Sequence, residues 1–209
     1  MTLATRLTVM RLFLAPLFAY FLAQQSPQSL LLATGAFVLA AITDKADGYL
    51  ARRTKTETEL GRMLDPIADK LLVGLAYVGF WWIDVTSVKA WVVAAILGRE
   101  LLVTGFRSYA GRRGVVIHSS EFGKWKTTLQ MVVALGLLFM IAWRARVDPS
   151  PAYWREPTSE LARGLLETAV VITAIVTILS GLDYVWKNRS LFGGGRDGGD
   201  GGGNGGRRR

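Results

Sequence analysis

From Leu12 to Thr43 the chain carries no charged residue, and only the polar run Gln24-Gln25-Ser26-Pro27-Gln28-Ser29 divides that stretch. A helix needs about 20 apolar residues to cross the hydrocarbon core of a bilayer, so the pattern predicts two membrane helices joined by a tight turn. Further apolar runs follow at Leu71–Ile83, Ala90–Phe106 (interrupted by Arg99-Glu100), Thr127–Trp143 and Thr168–Leu182. Lipid offers no partner to exposed backbone N–H and C=O groups, so these segments are expected to be helical. The expected fold is all-α: a polytopic membrane protein with six transmembrane helices. A buried hairpin of a soluble bundle would account for the first two segments but not for the later ones. Met1–Arg11, with Arg6 and Arg11 ahead of the apolar run, reads as a short interfacial helix leading into the first span. No small-residue cleavage site precedes the second span, which argues against a removable signal peptide.

Composition agrees with this pattern. The 209 residues are 51% hydrophobic, with a mean hydropathy of +0.30, too apolar for a soluble domain with a charged surface. The net charge of +9 suggests either nucleic acid or an anionic membrane surface as partner. Its placement favours the bilayer over nucleic acid. Arg6, Arg11, the 52–62 loop, the 107–126 region and the tail would lie on one side, while Lys89, Arg144, Arg146, Arg155 and Arg163 would lie on the other. By the positive-inside rule both termini are then cytoplasmic, in a multi-pass protein of the cell (inner) membrane. There is no cysteine, so neither disulfides nor thiolate metal sites are available. Residues 1–190 read as one membrane domain. Residues 191–209, rich in Gly and Arg with no apolar periodicity, read as a disordered tail.

Candidate chemistry is concentrated where the second apolar segment meets the third. Asp44, Asp47, Gly48, Ala51, Arg52, Gly61, Asp65 and Asp69 follow the pattern D-x2-D-G-x2-A-R-x8-G-x3-D-x3-D. Asp44, Asp47, Gly48 and Ala51 share a helix face, as do Gly61, Asp65 and Asp69. Two antiparallel helices joined by the short polar linker Arg53–Leu60 can set four carboxylates opposite one another, with small residues permitting close approach. Clustered carboxylates repel unless cations neutralise them or their pKa values rise. Oxygen ligands without His or Cys favour Mg²⁺ or Mn²⁺ over zinc, and two bridged ions suit phosphoryl transfer. The structural alternative pairs these acids with Arg52, Arg53, Arg62 and Lys70, but ion pairing does not require glycines at these offsets.

Those eight fixed residues resemble the signature of the CDP-alcohol phosphatidyltransferases, and every motif position matches. The resemblance covers roughly residues 7–190 and implies six transmembrane helices, usually in a homodimer. It also implies transfer of a phosphatidyl group from CDP-diacylglycerol to an alcohol with release of CMP. By position, it implies that Asp44, Asp47 and Asp65 are metal ligands and that Asp69 is the general base and also a metal ligand. It further implies that Gly48, Arg52 and Thr58 contact CDP-diacylglycerol. The physical roles agree: glycine admits a ring close to backbone, arginine offers phosphate a planar fork, and a carboxylate can take a hydroxyl proton.

The stretch Arg99-Glu100-Leu-Leu-Val-Thr-Gly-Phe-Arg107, together with Gly123-Lys124-Trp-Lys126-Thr-Thr-Leu-Gln130-Met131, is similar to the phosphatidylglycerophosphate synthase branch. So is Leu60-Gly-Arg-Met-Leu-Asp-Pro-Ile-Ala-Asp-Lys70. That branch takes glycerol 3-phosphate as acceptor. An anionic acceptor requires cations, and Arg107, Lys124 and Lys126 are the acceptor-binding candidates at the ends of the fourth and fifth spans. Arg99 and Glu100 lie deeper and are expected to pair inside the bundle. Leu7-Thr8-Val-Met-Arg11 fits the family's L-T-x-x-R, but Ala4 and Thr5 replace the usual preceding Pro and Asn. His118, the single histidine, reads as a loop residue without a chemical role. Within the enzyme class the alternative acceptors are inositol phosphate, serine or phosphatidylglycerol. A cation transporter is the remote alternative. Transport sites lie near the bilayer midplane and often between inverted repeats, whereas these acids lie at helix ends and no repeat is visible.

Overall fold

A computed structural model of the chain describes residues 3–54, 59–85, 88–112, 121–150 and 159–189. Thr58, His118 and the tail lie outside the described residues. Among the described residues the fold is all-α, with six helices: α1 Leu3–Ala23, α2 Pro27–Thr54, α3 Glu59–Trp82, α4 Ala90–Arg112, α5 Glu121–Val147 and α6 Glu160–Lys187. The interfacial helix expected at Met1–Arg11 is not a separate element. Leu3–Ala23 is one continuous helix. No glycine or proline interrupts its first turns, and Arg11 is drawn into the bundle at 3% exposure instead of lying at a surface.

Local chemistry sets the helix ends. Ser26 caps α2: its Oγ accepts the Ser29 N–H at 3.1 Å, and the Ser29 Oγ accepts the Ser26 N–H at 2.9 Å. This reciprocal pair, with Pro27 at the first helical position, satisfies two orphan donors and turns the chain within the polar run that divides the first two apolar segments. At the end of α3, Val85 N–H bonds to the Phe80 carbonyl at 2.9 Å and Asp84 N–H to the Trp81 carbonyl at 3.1 Å. With Asp84 at φ 58°, this is a Schellman cap closed by the buried pair Phe80 and Val85. Ser159 caps α6 by accepting the Ala162 N–H at 3.2 Å.

Cross-helix contacts order the bundle as an up-and-down array. Arg11 of α1 meets Asp44 near the far end of α2. A Cβ on Gly79 of α3 would come within 2.5 Å of Leu22 on α1. Lys70 meets Thr104 of α4, Tyr77 meets Gln130 of α5, Gln130 meets Thr177 of α6, and Arg99 meets Ser180. Each helix therefore runs opposite to the one before it. The starts of α1, α3 and α5 and the ends of α2, α4 and α6 share one end of the bundle. α1 packs on α2 and α3, α2 on α5, and α6 on α4 and α5.

The core is a continuous apolar cluster that includes Phe18, Phe37, Tyr77, Phe80, Leu137 and Leu138. Ala15, Ala33, Ala40, Ala76, Ala134 and Ala174 are fully buried and let helix backbones approach. The outside is also apolar: Phe13, Ile42, Leu101, Phe139 and Leu182 are exposed. Trp81, Trp82, Trp91 and Trp143 ring one end, and Trp125 and Trp186 stand at the other, the positions where indoles settle at a bilayer interface. Four helices hold a stretch long and apolar enough to cross a membrane: Arg6–Ala23, Pro27–Asp44, Trp125–Val147 and Glu160–Lys187. The apolar part of α3, Lys70–Trp82, is shorter, and α4 carries Arg99, Glu100 and Arg107 along its length. This is a membrane protein.

Candidate active site at one end of the bundle

α2 does not stop where its apolar stretch ends at Asp44. It continues to Thr54, so Asp44, Asp47, Gly48, Ala51 and Arg52 all ride on one helix. Gly61, Asp65 and Asp69 ride on the first half of α3. The backbone thus carries the two halves of the acidic motif on the helices and at the offsets that the spacing predicts.

The Asp44 carboxylate accepts from the Arg11 guanidinium of α1. Arg11 was not among the partners expected for the acidic cluster, and its match to L-T-x-x-R was the signal for it. Thr8, one turn before Arg11, is buried as well. Thr43, beside Asp44, returns its hydroxyl to the Leu39 and Ala40 carbonyls at 2.8 and 2.9 Å. Lys70, the residue after Asp69, donates to the Thr104 hydroxyl of α4. Thr104 in turn donates to the Glu100 carbonyl at 2.7 Å.

Behind this end lies a polar network that spacing alone did not assemble. The Glu100 carboxylate accepts from Arg99 at 3.2 Å, the pairing expected inside the bundle, and also from the Lys126 ammonium of α5. Lys126 is 1% exposed. Arg99 reaches α6, donating to the Ser180 hydroxyl at 2.8 Å. A turn along α5 from Lys126, Gln130 donates to Thr177 at 3.0 Å, and its carbonyl accepts from Tyr77 at 3.3 Å. Ionisable groups at such depth are costly and mark functional sites. Of the acceptor candidates, Lys126 therefore points into the bundle, Arg107 is exposed on α4, and Lys124 lies in the first turns of α5. Among the described residues no His, Cys, Asp and Glu side chains group as a metal site. The donor chemistry of the motif, four carboxylates carried by α2 and α3, nonetheless suits hard divalent ions.

The chain belongs to the CDP-alcohol phosphatidyltransferase family, whose model matches residues 1–179. These are membrane transferases of phospholipid biosynthesis. Among curated proteins it is 34% identical to a CDP-diacylglycerol–glycerol-3-phosphate 3-phosphatidyltransferase of Cereibacter sphaeroides, over 87% of this chain and 92% of that protein. It is 36% identical to a probable phosphatidylglycerophosphate synthase of Mycobacterium tuberculosis, over 88% of this chain and 79% of that one. A cardiolipin synthase (CMP-forming) of Oryza sativa subsp. japonica is 33% identical, over 86% of this chain and 56% of that protein.

Proposed function

We propose that this protein transfers the phosphatidyl group of CDP-diacylglycerol to sn-glycerol 3-phosphate, forming phosphatidylglycerophosphate and CMP. The observation that carries this reading is the complete acidic motif on α2 and α3, at the same bundle end as the cations Lys70, Arg107 and Lys126. Relatives named for this activity align along most of the chain, which supports the same acceptor.

Gly48, Arg52 and Thr58 hold the cytidine diphosphate part of the donor, the glycine by close backbone approach and the arginine by charge-assisted hydrogen bonds. Arg107, Lys124 and Lys126 draw in the acceptor phosphate. Asp69 takes the proton from the acceptor hydroxyl as its oxygen bonds to the phosphatidyl phosphorus and the bond from that phosphorus to the CMP oxygen breaks. Divalent-metal dependence is general in the family. Asp44, Asp47, Asp65 and Asp69 would hold two ions, Mg²⁺ or Mn²⁺, which when bound supply charge neutralisation at the diphosphate.

In the cell membrane all six helices span, with the motif end and both termini cytoplasmic, and the chain pairs as a homodimer. The up-and-down order and the Trp residues at both bundle ends support this topology, although α3 and α4 are less apolar than the other four. The test is CMP release by purified protein given CDP-diacylglycerol and a panel of acceptors. Glycerol 3-phosphate should be used at least about tenfold better, in kcat/KM, than inositol phosphate, serine or phosphatidylglycerol. Preference for another member of the panel replaces the acceptor and leaves the family chemistry intact.

A further inference from the structure

α4 packs on α3 and α6, and α5 on α2, α3 and α6, while α4 and α5 share little direct packing among the described residues. What crosses between them is the Glu100–Lys126 ion pair. Its two ends are held differently. Glu100 is braced: Arg99 grips its carboxylate at 3.2 Å and is itself pinned to Ser180 at 2.8 Å. Gly181 leaves room for the Arg99 stem, since a Cβ there would stand 3.1 Å from Arg99 Cγ. Thr104, one turn on, ties the Glu100 carbonyl to Lys70, the neighbour of Asp69. Lys126 sits on a flexible stem near the start of α5, where an ammonium left to itself extends toward the interface and water. It lies 1% exposed instead.

The charge around the pair is unbalanced. Two cations, Arg99 and Lys126, share the one Glu100 carboxylate. A pair kept only to join two helices would be better replaced by apolar side chains. A surplus of positive charge inside a bundle is stabilised when an anion enters.

We propose that Glu100 is a positioning residue for the acceptor. It holds the Lys126 ammonium inside the bundle, between α4 and α5 and beside the Asp69 end of α3, where that ammonium meets the phosphate of an anionic acceptor. This rests on the reading of Lys126 as an acceptor contact. Glu100 touches no reactant and acts through Lys126, selecting dianionic acceptors over neutral alcohols by keeping the surplus charge in place.

The experiment compares Lys126→Gln, Glu100→Gln and the double variant in CMP release, varying glycerol 3-phosphate and CDP-diacylglycerol separately. Lys126→Gln should raise the glycerol 3-phosphate KM about tenfold, and Glu100→Gln about three- to tenfold, with the CDP-diacylglycerol KM essentially unchanged. The double variant should be no worse than Lys126→Gln alone, because one residue works through the other. An unchanged glycerol 3-phosphate KM in Lys126→Gln overturns the acceptor reading and the proposal with it. A raised KM in Lys126→Gln, with Glu100→Gln silent or with the two effects multiplying, overturns the role of Glu100 alone. If Glu100→Gln does not fold, Glu100→Asp carries the test. It keeps the charge but withdraws it by one methylene, and must raise the acceptor KM alone; an unchanged KM there overturns the proposal.

Discussion

Asp44 and Asp69 carry the same functional group, and the proposed function gives them different work. Asp44 meets the buried Arg11 of α1. Asp69 immediately precedes Lys70, which donates to Thr104 of α4. Asp69→Asn should therefore bind CDP-diacylglycerol yet lose about 10²–10⁴ in turnover at every metal concentration, the usual cost of a missing general base. Asp44→Asn should lose rate that added metal partly restores. CMP release across a metal titration, with donor binding measured alongside, separates the two; near-normal turnover of Asp69→Asn at high metal would make Asp69 a ligand and not the base. At the acceptor side, Arg107→Gln or Lys124→Gln should each raise the glycerol 3-phosphate KM about three- to tenfold and leave the CDP-diacylglycerol KM nearly unchanged. Unchanged acceptor kinetics in both would reduce these residues to topology anchors.

At the scale of the element, α2 matters most, because it extends one membrane span into the site. Its apolar stretch and its acidic motif form one unbroken helix from Pro27 to Thr54, so the Ser26–Ser29 cap at one end and the aspartates at the other are rigidly related. The α3–α4 junction shows the opposite case, a local structure at odds with its residue. Asp84 sits at φ 58° in a Schellman cap that glycine fills without steric cost. Asp84→Gly should stabilise the protein by about 0.5–1 kcal/mol, seen as a raised thermal midpoint in detergent. Since Asp84 stands at the opposite end of α3 from Asp69, CMP release should be unaffected. A lowered midpoint would mean that the Asp84 side chain makes a contact worth more than the backbone strain.

At the scale of the molecule, the alternating helices bring the motif segments of α2 and α3 to the same end as Arg107 and Lys126. Chelation should abolish CMP release and Mg²⁺ or Mn²⁺ should restore it; full activity in excess chelator would exclude metal from the reaction. Because the chain has no cysteine, single cysteines can map its orientation. A cysteine at Ser108 or Ser190 should react with a membrane-impermeant thiol reagent only in inside-out vesicles, and one at Lys89 only in right-side-out cells. The reverse pattern would put the motif end outside and remove access to a cytoplasmic nucleotide donor.

Helix existence was legible from periodicity and run length, because a span must be apolar over its whole length and the breaks are polar or carry Gly and Pro. The motif was legible because its parts are close in sequence: Asp44 to Arg52 lie on one helix, Gly61 to Asp69 on the next, and helical spacing alone places each set on a face. Two things were decided only by the tertiary structure. Arg11 meets Asp44 across 33 positions of sequence, and Glu100 meets Lys126 across the gap between α4 and α5. No local rule selects either partner, because several other cations lie nearer in sequence to each acid. The choice is made by which helices the apolar core brings side by side. The same reason explains why Met1–Arg11 did not form its own interfacial helix. Arg6 and Arg11 read as the charges of an interfacial helix, but folding α1 against α2 buried Arg11 beside the half-buried Asp44 carboxylate and let one helix run straight through.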